Sequence, residues 1–235
     1  DGTREYDANG AQQSHDADAV VTLTADAHLG KAAVTVASGV LNIEDATVRN
    51  VPADANDYAN NTTFVSVIGT LVAKAAQVTG KTISGAGTVT INTLQATSDV
   101  SLIKTINVTA VVDGDLTFTG TLWAVADVTS DRKVVVKNNF TLTLTAAIAT
   151  QQYIENFTDA SGTVAVMELG DVDTVDLQNI TATTVTAHYD GTRDKSVDPA
   201  THNNAAEVTL AAAAHLGKAA VTVASGVLNI EDATV

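Results

Sequence analysis

The sequence predicts an all-β protein built as a parallel β-solenoid, with tandem immunoglobulin-like sandwiches, two per repeat, as the alternative. Three observations lead there. Valine and threonine alternate in short runs along the whole chain, the pattern of half-buried strands on a pleated surface. Hydrophobic residues make up 45% of the 235 residues but aromatic ones only 4%, so a core exists and must be filled by small branched side chains. Hairpin signals are sparse: beyond the opening Asp1-Gly2, the Asn-Gly and Asp-Gly pairs are Asn9-Gly10, Asp113-Gly114 and Asp190-Gly191. A many-stranded sandwich needs more such turns and larger core residues, whereas a solenoid stacks small side chains rung on rung.

Taken in chain order, the alternation first appears in Val34-Thr35-Val36 and Val40-Leu41-Asn42-Ile43. Leu71 to Val78 interrupts it and is the best helix candidate. Strand character resumes in Thr88-Val89-Thr90-Ile91, Leu116-Thr117-Phe118-Thr119 and Phe140-Thr141-Leu142-Thr143-Leu144. Val164-Ala165-Val166, Val175-Asp176-Leu177 and Thr183-Thr184-Val185-Thr186 continue it. Ala211 to Leu216 is alanine-rich but copies a region of strand character. Branching at Cβ stiffens valine and threonine against the preceding helical turn, which is why these runs favour strands.

An internal repeat organises the chain. Ala27 to Val48 reads AHLGKAAVTVASGVLNIEDATV, and Ala214 to Val235 reads the same at all 22 positions. Upstream, Asp1-Gly2-Thr3-Arg4 recurs as Asp190-Gly191-Thr192-Arg193 and Val21-Thr22-Leu23 as Val208-Thr209-Leu210, while the segment between has diverged. The expected organisation is one complete repeat unit over 1–189 and the opening part of a second over 190–235. Packing constrains strands more than loops, so a diverged loop beside an unchanged strand is what such constraints leave.

Composition removes several function classes. A net charge of −15 and a pI near 4.4 lack the basic footprint that a nucleic-acid binder needs. Cysteine is absent, which excludes disulfides, thiolate metal sites and catalytic thiols. No apolar run is long enough to span a bilayer, so no membrane insertion is expected in this piece. The chain starts at Asp1 with neither an initiator methionine nor a signal-like segment, and the expectation is a mature or excised piece of a longer product.

Motifs for catalysis are missing. There is no G-x-S-x-G, no H-E-x-x-H and no glycine-rich phosphate loop. The five histidines (His15, His28, His188, His202 and His215) fall near loops and read as solvated. Asp171 and Asp173 would share a face of an extended chain, as a general acid and base would. A sugar-cleaving cleft also needs aromatic platforms, and Trp123, the only tryptophan, reads as a core plug. Calcium is the better use of these oxygens: Asp113 and Asp115 flank Gly114, and Asp171, Asp173 and Asp176 form a second acidic group. Six N-x-[ST] sequons occur, of which Asn60 and Asn61, in a polar stretch, suit a glycosylated surface loop best.

The run Val34 to Ile43, followed by Ala46-Thr47-Val48, resembles the short-strand-and-turn rungs of secreted β-solenoid surface proteins. The acidic, cysteine-free chain rich in threonine, alanine and valine is also similar to bacterial and archaeal surface-layer proteins and giant repetitive adhesins. That resemblance implies a non-enzymatic, extracellular structural protein of the cell surface: a tandem-repeat layer, stalk or filament. The spacer of a large adhesin is the second expectation, and a polysaccharide-cleaving β-helix enzyme the third. The expected partner is the protein itself, through β edges. In the second copy Val221, Val223, Leu228 and Ile230 would form the apolar face for such contacts, bare unless following residues or another molecule cover it.

Overall fold

The computed structural model describes residues 3–6, 12–48, 62–158, 161–172, 174–194 and 201–235. It is all-β, 47% strand and 7% helix, with parallel sheets stacked as a β-solenoid of about nine turns. The solenoid, not the paired sandwich, is the architecture. The chain packs as two compact units, Asp1–Leu94 with Ser98–Ala110 and Gln95–Thr97 with Val111–Val235.

The first unit opens with an antiparallel pair, β1 (Thr3–Tyr6) and β2 (Gln12–Asp16), in which Arg4 stands opposite His15. Asn9-Gly10, between these strands, lies outside the described residues. The solenoid then runs through β3 (Val20–Thr22), β4 (Ala33–Val36), β5 (Val40–Asn42), β6 (Thr63–Val67) and β7 (Thr70–Lys74). After helix α1 (Ala75–Val78) come β8 (Ile83–Asn92) and β9 (Ile103–Val112). Every solenoid pairing in this unit is parallel: β3 with β5, β5 with β7, β7 with β8, β8 with β9, and β4 with β6.

In-register stacking makes columns of like side chains. Val21, Leu41, Leu71, Val89 and Val108 form one inward column, in which Leu71, Val89 and Val108 are inaccessible to solvent. Burying each such side chain stabilises the fold by about 1.5–3 kcal/mol. The alternate residues face out, so Thr70, Thr88 and Asn107 stack as a polar column. Corners between sheets are set by glycine. A Cβ on Gly39 would lie 2.5 Å from the Ala19 carbonyl oxygen, one on Gly69 2.5 Å from that of Gly39, and one on Gly87 2.1 Å from that of Gly69. No side chain fits where one backbone rests on the next.

The helix expected over Leu71 to Val78 is half strand. Leu71 and Ala73 are buried while Lys74 is exposed, so the period of two persists to the end of β7. Helix begins only at Ala75, where the Lys74 backbone N–H donates to Gln77 Oε1 at 2.8 Å.

The second unit contains β10 (Leu116–Phe118), β11 (Arg132–Val136), β12 (Thr141–Thr145), helix α2 (Ala146–Ala149), β13 (Tyr153–Asn156), β14 (Thr163–Met167) and β15 (Thr184–Tyr189). An antiparallel pair follows, β16 (Thr192–Asp194) and β17 (Thr201–Asn203), and then β18 (Glu207–Thr209), β19 (Ala220–Val223) and β20 (Val227–Asn229). One parallel sheet runs β10-β12-β14-β15-β19. Along it the column Phe118, Leu144, Val166, Ala187 and Val221 shrinks from phenylalanine to alanine, and the space beside Ala187 is taken by fully buried Tyr189. Its hydroxyl donates to the Ala206 carbonyl at 2.8 Å. Burial, with Asp190 and Glu207 alongside, pushes the Tyr189 phenol above its ordinary range. Val175-Asp176-Leu177, expected as a strand, is reduced to a single parallel bridge of Asp176 with His215, and the chain turns directly after it at Gln178-Asn179.

Candidate functional site

The two copies of the 22-residue stretch fold alike. Val40 N–H reaches the Ala19 carbonyl at 3.0 Å, and Val227 N–H reaches that of Ala206 at 2.9 Å. Leu29 N–H donates to Thr47 O and Leu216 N–H to Thr234 O, both at 2.9 Å. The Glu44 and Glu231 amides are each capped by the preceding asparagine Oδ1, at 2.9 and 3.0 Å. The corner glycine recurs too: a Cβ on Gly226 would meet the Ala206 carbonyl oxygen at 2.4 Å.

Their surroundings differ. A following rung closes over the first copy: Val34 pairs with Phe64 and Val36 with Val67 across β4 and β6, and Leu41 pairs with Leu71 across β5 and β7. Gln77 Nε2 donates to the carbonyls of Ile43 at 2.6 Å and Ala46 at 2.8 Å, and Thr62 Oγ1 donates to that of Gly30 at 2.7 Å. The second copy is held from the other side, by β15: Ala187 stands opposite Val221 and Tyr189 opposite Val223. Val223 is 49% exposed where Val36 is 3%, and Val221, Leu228 and Ile230 are half-buried. The four residues expected to form an apolar face lie on the rung of β19 and β20, and among the described residues β19 pairs only with β15.

A second feature was not legible in the sequence. At the C-terminal ends of β10, β12 and β14 lies a groove of about 270 Å³, lined by Thr119, Thr145, Met167, Glu168, Asp190 and Arg193 among others. Arg193 Nε pairs with Glu168 Oε1 at 3.1 Å and its Nη2 lies 3.8 Å from Asp190 Oδ2, while His202 Nε2 is 3.4 Å from Asp190 Oδ1. The Arg193 amide donates to Asp171 Oδ1 at 2.9 Å. Here the acids converge on an arginine that ties the β16–β17 pair to the rung below. The signal available was the recurrence of arginine and histidine in both antiparallel pairs, Arg4 opposite His15 and Arg193 opposite His202.

Three of the expected calcium ligands, Asp115, Asp171 and Asp176, accept backbone amides. Asp115 Oδ1 accepts the Thr141 amide at 2.8 Å, and Asp176 accepts the Gln178 amide at 3.1 Å and its Nε2 at 3.0 Å. Asp176 thus caps a local turn, whereas Asp115 and Asp171 hold amides far along the chain, of Thr141 and Arg193. Asp113 is half-buried in the turn before β10. Among the described residues no three histidine, aspartate or glutamate side chains form a group that could hold a metal. Asp173, Asn60 and Asn61 lie outside the described residues.

Trp123 is buried, and its carbonyl accepts Gln152 Nε2 at 2.9 Å. The histidines are not all in loops: His188 is on β15, His202 on β17, and His28 and His215 form isolated bridges. Among the described residues no helix is long and apolar enough to cross a membrane. Comparison of the chain with protein-family models, with curated proteins and with solved structures finds no match.

Proposed function

We propose that this chain is a non-enzymatic structural protein of the cell surface, a tandem-repeat solenoid that assembles through its β edges into a layer, stalk or filament. One observation carries the reading: the same 22 residues occur twice and fold alike as rungs of a parallel solenoid. Rungs that stack by parallel strand pairing present the same backbone pattern to each neighbour, which suits repeated β-edge contacts. The acidic surface supports it as well, since a charge of −15 keeps such chains soluble until their edges meet.

Electron microscopy of the purified chain at rising protein concentration and ionic strength tests the proposal. Rows or filaments one solenoid wide are expected. Single particles at every concentration would remove assembly from the account.

A further inference from the structure

The groove beside Arg193 lies within the second unit, on the outward face of the sheet that runs β10-β12-β14. Leu142, Leu144, Val164 and Val166 point inward and are buried. Thr143, Thr145 and Met167 therefore point outward and, with Thr117, make the floor. The register sets Thr117 beside Thr143 and Thr145 beside Met167, about one strand spacing of 4.8 Å apart. The wall comes from the chain leaving β15 for the β16–β17 pair. Asp190 and Arg193 stand on that path, and Glu168, just beyond β14 and held at a φ of 58°, reaches Arg193 from the rung below.

We propose that this groove binds a neutral sugar unit of a glycan. Arg193 keeps donors to spare. Among the described residues only its Nε stands within hydrogen-bond distance of a side-chain partner, Glu168 Oε1 at 3.1 Å, while Nη2 is 3.8 Å from Asp190 Oδ2. The carboxylates beside it only accept, and the threonine hydroxyls of the floor both donate and accept. Adjacent hydroxyls on a ligand, each donor and acceptor at once, satisfy such a mixture; a group that only donates or only accepts does not. Met167 and the threonine methyls supply the apolar surface against which the C–H face of a sugar ring can rest.

Charge rules against the alternatives. Glu168 and Asp190 outnumber Arg193 in a chain of net charge −15, so phosphate, sulfate and uronate groups are repelled. A cationic ligand would have to sit against the guanidinium that those carboxylates already hold. The side chains of Glu168, Asp190 and Arg193 keep 20%, 23% and 37% of their surface exposed: enough for a ligand to reach, and covered enough for a hydrogen bond to count for more than on open surface. A volume of about 270 Å³ falls just under the roughly 300–1,000 Å³ of sites for drug-sized ligands, which suits one or two rings of a longer glycan. Such a groove on the side of the solenoid is independent of contacts through β edges and stands or falls apart from them.

Isothermal titration of the full chain tests the proposal with three kinds of probe at fixed ionic strength. These are neutral trisaccharides of glucose, mannose and galactose, the acidic trisaccharide of galacturonic acid, and the basic trisaccharide of glucosamine. At least one neutral probe should bind with a millimolar or lower Kd, and more tightly than either charged one. Arg193→Lys keeps the charge but loses the planar fork and should weaken that binding by about tenfold, the size of one charge-assisted hydrogen bond. Thr143→Val removes only a hydroxyl from an outward position and should weaken it a few-fold with the melting temperature unchanged, so it carries the test even where Arg193→Lys loosens the β16–β17 pair. Thr186→Val, in the same outward column two rungs on and outside the groove, should bind as the wild type does. No binding of any neutral probe overturns the proposal. So does binding that ignores Thr143→Val, binding that Thr186→Val weakens equally, or a charged probe that binds as tightly as the neutral ones.

Discussion

Val36 and Val223 hold the same place in the same 22-residue sequence, yet one is 3% exposed and the other 49%. Ile43 is inaccessible to solvent, and Ile230 is only half-buried. The backbone does not register this difference; strand, turn, bridge and corner glycine recur in both copies. Folding of a rung and burial of a rung are therefore separable here. Local sequence decides the path of the chain, and the neighbour decides how much apolar surface leaves water.

The sharpest way to break the comparison is to place a charge at its centre. Val36→Lys puts an ammonium beneath β6 and should lower the local stability of the first copy by about 3 kcal/mol or more, whereas Val223→Lys should cost less than about 0.5 kcal/mol. Amide hydrogen exchange of Val34–Ile43 and Val221–Ile230, followed separately, reads the two. Next in size is truncation: Ile43→Ala should cost about 2–5 kcal/mol through the cavity it leaves, and Ile230→Ala a fraction of that. Equal costs would mean that the second copy is covered in solution.

Smaller effects sharpen the account. Tyr189→Phe deprives the Ala206 carbonyl of its donor and should cost about 1 kcal/mol, felt in the second copy and not the first. The same phenol gives a pH dependence. Its folded pKa is raised, so its contribution is whole below the unfolded value of about 10 and is lost as pH rises through the folded one. Chemical denaturation between pH 8 and 11 should show the wild type losing stability that Tyr189→Phe does not lose. Smallest of all is calcium. With Asp115, Asp171 and Asp176 already holding backbone amides, millimolar calcium against chelator at fixed ionic strength should move the melting temperature by no more than about 2 °C.

The fold was largely legible because its signal is local. Alternation of valine and threonine, few aromatic residues and few hairpin turns are properties of neighbouring residues, and they sufficed for a solenoid. Errors arose where a side chain overrides the period. Leu71 to Val78 reads as one helix, but stacking on β5 and β8 holds Thr70–Lys74 extended and Gln77 starts the helix late. Val175-Asp176-Leu177 alternates like a strand, but the Asp176 carboxylate caps the Gln178 amide and turns the chain. The common path of the two copies could be read from the repeat itself. The Arg193 cluster could not, since Glu168 and Asp171 reach it only after the chain has passed through a full turn.

The glycine column at the corners has a consequence for how such a sequence can change over generations. At Gly39, Gly69 and Gly87 one backbone rests directly on the next, so the spacing of the turns is fixed by peptide groups and not by the size of any side chain. Outward-facing positions are then free to drift without altering the pitch, and an antiparallel excursion such as β16–β17 can lengthen, shorten or lose its sequence identity while the rungs on either side stay in step. A duplicated segment arrives in a lattice whose dimensions it already shares. Growth by copying whole runs of turns is therefore the cheapest change open to this chain, and substitution at a corner the most expensive.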